Sequence, residues 1–206
     1  MRVDRAREAA LDALAACRRN GAWIDGALKQ VLKRDGLSGR DAAFASRIAY
    51  GVMQNRIYLD RCLARCLTQR PEKLEPLLLD ILRIGAYQIL FMDKVPVNAA
   101  VNEAVEMAKA HKLSRAAGLV NAVLRNVDRR RGEPLAFADE LEALSVQTSH
   151  PRALVERVVG LLGAEEAEAF LRQQFTRLQC LGNTLFRQVY IRPSRKTVLF
   201  IPCTLA

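Results

Sequence analysis

No apolar run in this 206-residue chain approaches the roughly 20 residues that a membrane span requires. The N-terminus, MRVDRAREAA, also lacks the apolar core of a secretory signal, so the chain is expected in the cytoplasm and away from membranes. Glycine and proline are scarce, 11 and 7 residues, and half of the chain is apolar, which predicts one globular domain with an extension. The five cysteines, at positions 17, 62, 66, 180 and 203, form no even, closely spaced framework, so reduced thiols are expected. Cys62 and Cys66 share a helix face, but a metal there would need further ligands. The chain's two histidines, His111 and His150, are distant from each other in sequence, and no metal is expected. The two-residue alternation of β-strands is missing over any length before position 175, which predicts an all-α domain.

What the chain has instead is one amphipathic segment after another. Residues 4–18 form a first helix with Ala6, Ala10, Leu14 and Cys17 on a small-residue face, closed by Asn20-Gly21. A second is expected from Ile24 to Arg34. A third begins around Ser38 and Asp41, where Phe44, Ile48 and Val52 recur every four residues, and Asn55 marks a break. Ile57, Leu59, Leu63 and Leu67 continue until Gln69-Arg70-Pro71 ends the helix. The segment from Glu75, EPLLLDILRIGAYQILF, is the most apolar. Leu78, Ile81, Leu82, Ile84 and Ile89 leave it little polar surface, so it should be the central helix. Gly85 inside it would cost about 1 kcal/mol against alanine unless close packing offsets the loss.

Residues 95–127 carry the most information. Val97, Val101, Ala104, Val105 and Ala108 describe one apolar helix face, with Pro96 suited to the first turn. Ser114 is a candidate N-cap for the next helix, whose face is Ala117, Val120, Leu124 and Val127, and Gly118 should allow a neighbouring helix to approach closely. Asn98, Asn102, Asn121 and Asn126 are mediocre helix formers that need capping, inter-helix hydrogen bonds or a ligand to account for them. A satisfied structural hydrogen bond is the simpler account.

Residues 1–70 hold 14 Lys and Arg against 7 Asp and Glu, whereas residues 71–140 balance at ten each. The net charge of +10 therefore gathers in the first third, beginning with Arg2, Arg5 and Arg7, then Arg18 and Arg19, then Lys29, Lys33, Arg34 and Arg40. Such clustering favours a polyanion, although a solvated face in an arginine-rich composition would look the same.

Several separate motifs then occur in order: DAAF at Asp41–Phe44, GVMQNR ending at Arg56, Leu59-Asp60, DILRIGAYQILF, VNEAVEMAK and GLVNAVLRNV. Together they resemble the NusB domain family over nearly all of residues 3–128. The resemblance implies a compact helical bundle that binds RNA. It fits both free-standing transcription antitermination factors and the N-terminal domain of RsmB-type (Sun or Fmu) ribosomal RNA cytosine methyltransferases. Residues 133–175 favour the second, because antitermination factors end soon after the LRN helix. Here Ser149 or His150 is read as a cap and Pro151 as a first turn, followed by an apolar stripe of Leu154, Val155, Val158, Leu161 and Leu162 up to Gly163, and a second short helix from Ala164. This S-H-P segment resembles the methyltransferase linker, which makes His150 a linker residue rather than a catalytic base.

Residues 176–206 depart from that pattern, with five Lys or Arg and no acid. CLGNTL resembles the opening of the methyltransferase core, but no glycine-rich S-adenosylmethionine loop follows. The resemblance implies one cysteine as nucleophile and another for product release within a large α/β domain, and Pro202-Cys203 has none of that context. The expected organisation is thus a compact NusB-type bundle over residues 1–132, a short helical linker over 133–175 and an irregular basic, apolar tail over 176–206. No catalytic residue and no cofactor are expected in this chain; S-adenosylmethionine belongs to full-length relatives. The expected partner is RNA, ribosomal RNA in particular, with a ribosomal protein as a further candidate. Arg2, Arg5, Arg7, Lys112, Arg115 and Asn121 are the expected contacts, the arginines near the N-terminus on phosphates, and the asparagines with the helix start around Ser114 and Arg115 on bases of a single strand. The alternatives are an antitermination factor and a protein-interaction module without RNA, which would show an exposed apolar surface. A frameshift or truncated gene would explain the tail. Nucleotides downstream of codon 175, translated in another frame, should encode the missing core, and sequencing that finds no such frame would refute it.

Overall fold

The computed structural model describes residues 3–180, with side chains through residue 173. Arg2 and the greater part of the expected tail lie outside the described residues. Among the described residues ten α-helices follow one another: α1 (Arg5–Asn20), α2 (Ile24–Asp35), α3 (Gly39–Gln54), α4 (Arg56–Ala64), α5 (Pro76–Phe91), α6 (Val97–Ala110), α7 (Ala117–Arg129), α8 (Glu140–Gln147), α9 (Arg152–Leu162) and α10 (Ala164–Cys180). There is no strand among the described residues, so the all-α expectation holds. The expected linker boundary at 175/176 falls inside α10, which is a full 17-residue helix rather than a short one.

Local chemistry sets the ends of α1. Asp4 Oδ1 accepts from the Arg7 N–H at 2.9 Å, Arg18 and Arg19 occupy the last turn, and Gly21 closes the helix in the left-handed region at φ 61°. Alanines at positions 6, 9, 10 and 13 are all buried, so α2 and α3 can approach α1 closely.

The central helix is α5, as the sequence predicts. Eleven of its 16 residues are buried, and α1, α3, α4, α6 and α7 all lie against it. Six of the buried residues are leucine or isoleucine, each worth about 2 kcal/mol of burial. Gly85 makes the close approach that its position demands: a Cβ there would sit 2.5 Å from Leu124 Cδ1 of α7. Gly118 does not. It is exposed with open space around it, because the face of α7 turned to the core is Val120, Val123, Leu124 and Val127. Ser114 likewise caps nothing, since a one-turn 3₁₀ helix over Ser114–Ala116 leads into α7.

Helices α8 to α10 build a second, smaller core from Val155, Val158, Ala167 and Leu171. This unit is held to the first through α4. Arg61 pairs with Glu142 at 3.4 Å, Arg65 pairs with Glu133 at 2.7 Å, and the Ser149 hydroxyl accepts from the Ile57 N–H at 3.1 Å. Ser149 is therefore not the cap of α9, which starts behind Pro151 with no side-chain cap. It ends α8 in the left-handed region at φ 53° and caps α4 from 92 positions away.

Gly85→Ala should lower thermal stability by about 1–3 kcal/mol, because the added methyl must displace the buried Leu124. Gly118→Ala, with nothing to displace, should raise it by up to about 1 kcal/mol through helix propensity. Paired melting curves test both signs.

Candidate nucleic-acid interface

Two segments far apart in sequence meet at the start of α1. Glu103 of α6 accepts from the Asp4 N–H at 3.1 Å, and Glu8 of α1 bonds His111 at the end of α6. The first turns of α1 and the connection between α6 and α7 are thus neighbours. On that connection Lys112 is exposed and left-handed at φ 63°, a conformation ordinarily left to glycine. It is held there because Leu113 N–H returns to Ala108 O at 2.8 Å while the Leu113 side chain packs on the core. Arg115 follows, exposed on the 3₁₀ turn.

The expected contact residues separate into groups. Arg5 is exposed and donates to the carbonyl of Asp35 at the end of α2. Arg7 is not a surface cation. Its side chain is only 11% exposed, Nε donates to Gln88 Oε1 at 2.8 Å, Asp4 pairs with it at 3.3 Å, and it lies 5.0 Å from the centre of the Phe44 ring. The helical phase that places Ala6 and Ala10 inside also turns position 7 inward. Asn121 is exposed on α7 and accepts from Arg125 Nε at 3.3 Å, while Arg125 Nη1 reaches Asn98 Oδ1 on α6 at 3.5 Å. Asn98, Asn102, Asn121 and Arg125 therefore form a polar surface across α6 and α7, and Asn126 bonds Arg129. Part of the asparagine content is thus inter-helix hydrogen bonding, at solvent rather than in the core.

Other basic groups in the first third also have partners. Arg18 pairs with Asp80 at 3.0 Å, and Arg34 bridges Asp12 and Asp35. Lys29, Lys33 and Arg40 are exposed. Arg125 was missed by sequence reasoning, although its place one turn after Asn121 was a usable signal.

The three described thiols, Cys17, Cys62 and Cys66, are slow nucleophiles at neutral pH. Burial pushes Cys17 up to about 11 and also raises Cys62 and Cys66, so all three stay protonated near neutrality. Among the described residues no group of three His, Cys, Asp or Glu side chains could hold a metal ion. No helix among them is long and apolar enough to cross a membrane.

These helices define an all-α domain with a polar, cationic surface and an appended helical unit. The NusB family matches residues 4–129, and the chain belongs to that family. Over 174 residues it is 36% identical to the "Probable ribosomal RNA small subunit methyltransferase B" of Bacillus subtilis, covering 84% of this chain and 38% of that protein. It is 37% identical over 93 residues to the "Transcription antitermination protein NusB" of Bacillus licheniformis, covering 44% of this chain and 72% of that one. The fold also matches a NusB chain in a crystal structure of antitermination factors NusB and NusE with dsRNA. There the TM-score is 0.57 at 19% identity, over 61% of this chain and 95% of that one. The chain spans 38% of the length of the methyltransferase relative, so its likeness is to part of that protein.

His150 sits in the turn between α8 and α9, mostly buried, with Nδ1 lacking a partner. Burial lowers its pKa below the ordinary 6.5, so the folded state binds a proton less readily than the unfolded chain does. The stability of the α8–α9 unit should be complete above about pH 6.5 and fall as the pH drops below it, as an unfolded-state histidine takes up its proton. Hydrogen exchange of α8 and α9 amides across that range should show the loss, and His150→Gln should flatten it.

Proposed function

We propose that this chain binds ribosomal RNA as the NusB-like N-terminal portion of an RsmB-type rRNA cytosine-C5 methyltransferase, and that it contributes binding rather than turnover. One observation carries the choice. The similarity to the methyltransferase relative extends past the family match at residue 129, across the α8–α10 unit, and that unit caps and pairs with α4 instead of trailing from the domain. The described residues hold no glycine-rich loop running from a strand into a helix, so they do not fit S-adenosylmethionine, and no methyl-transfer step is assigned to them.

In this reading Arg5, Lys112 and Arg115, together with Arg2, neutralise phosphates along a strand. The fixed left-handed turn at Lys112 holds two of these cations near the start of α1. Asn121, beside Arg125 and Asn98, offers amide donors and acceptors to unpaired bases. Arg7 supports the surface from beneath by fixing α1 on α5. A second reading, a cytoplasmic antitermination factor that binds a leader RNA with a small-subunit ribosomal protein, rests on the comparable identity to the Bacillus licheniformis protein.

Titration of the full chain with small-subunit ribosomal RNA fragments over a salt series tests the proposal. Affinity should fall with a log-log slope of about 0.7 per phosphate contact for a single strand. Replacing Arg5, Lys112 and Arg115 by alanine together should lower that slope by roughly 2. Arg7→Ala should lower the melting temperature and leave the slope as it was. A salt-independent affinity, or a triple variant that binds like the parent, overturns the proposal. Tight binding only to leader RNA with the ribosomal protein present selects the second reading.

A further inference from the structure

Away from α1, a cleft of about 450 Å³ opens between α4, the C-terminal end of α7 and the loop that leads to α8. That volume lies within the range of small-ligand sites, roughly 300–1,000 Å³. Its apolar lining comes from Leu90, Val127 and Leu135. Two aromatic rings face into it. Tyr58 is held edge-on by Phe91 at 5.7 Å between centroids, and Phe137 lies 6.0 Å from the Arg61 guanidinium.

Charge in the cleft is of one sign in the balance. Arg65, Arg130 and Arg131 line it against the single carboxylate of Glu133. Glu133 is taken by Arg65 at 2.7 Å, and Arg131 has only a weak partner, the 87% exposed Asp93 at 3.1 Å. The helix dipole accounts for cations at the end of α7. It does not account for aromatic rings and an apolar wall beside them, or for Arg65 arriving from the end of α4. Flat apolar walls below exposed guanidinium groups suit a planar base attached to a phosphate.

The loop wall exists only because the linker folds back, with Arg61 and Arg65 donating to the carbonyls of Ala136 and Glu133. We propose that this cleft takes one unpaired nucleotide of an RNA strand, its base against Tyr58 and Phe137 and its phosphate toward Arg130 and Arg131. The inference rests on the RNA-binding reading above and adds a second contact point, built jointly by the NusB-like domain and the linker.

Cys62 and Cys66 line the same cleft, whereas Cys17 lies on α1, so alkylation reads occupancy directly. The full chain is treated with iodoacetamide under mildly alkaline conditions and modification is followed site by site by mass spectrometry. The additions are a short single-stranded oligoribonucleotide, its duplex, or a nucleoside monophosphate, and anisotropy of labelled RNA records total binding in parallel. Single-stranded RNA should slow alkylation of Cys62 and Cys66 several-fold and leave Cys17 unchanged. Duplex and monophosphate at the same concentration should not slow it. Arg130→Ala with Arg131→Ala, both at exposed positions, should abolish the protection while helicity is retained, and Phe137→Leu should weaken it. RNA that binds by anisotropy without shielding these thiols overturns the cleft and leaves the proposed function standing. Absence of any RNA binding overturns both. Shielding by the monophosphate equal to that by RNA overturns the strand as occupant.

Discussion

A helix surrounded by other helices must satisfy its polar side chains inside the protein, and α5 does so in a way that fixes its neighbours. Asp80, 6% exposed, accepts from Arg18 of α1 and from Arg83 one turn ahead, and Arg83 also forks onto both oxygens of Asp60 on α4 at 2.7 and 2.8 Å. Near the other end of α5, Gln88 accepts from Arg7 and donates to Ile84 O. Both halves of α1 are therefore pinned to α5 and α4 is pinned beside them. A slip of any of the three would strand a charge in a dry environment, which costs far more than the apolar contacts it would save.

That constraint carries through to the surface. With α1 fixed on α5, the Glu8 and Asp4 contacts bring the end of α6, and the connection that carries Lys112 and Arg115 after it, to the first turns of α1. With α4 fixed on α5, its first N–H groups and its arginines face outward to meet Ser149, Glu142 and Glu133. The linker is thus part of the folded body, and its loop supplies one wall of the cleft at Leu135 and Phe137.

The net charge of +10 overstates what a polyanion would meet. Arg7, Arg18 and Arg34 are each committed to an internal or local acid, as the sequence total could not reveal. Lys112 and Arg115, from the region where charges balance, stand in the open. A count of charges by segment therefore does not tell which cations reach solvent, as buried Arg7 shows, because exposure depends on helical phase against a partner helix.

The helical class, the family, the central place of α5 and the end of α1 at Gly21 were all legible along the chain, because periodicity, left-handed caps and linear motifs are properties of neighbouring residues. The sequence also marked Gly85 as a packing site, since a glycine inside so apolar a helix has few other uses. The solvent-facing place of Gly118, the capping of α4 instead of α9 by Ser149, the burial of Arg7 and the cleft shared by Tyr58, Arg65 and Phe137 emerge once the helices pack. Each of those depends on which helix lies opposite, and the energy that settles it comes from contacts between residues tens of positions apart, to which local pattern is blind.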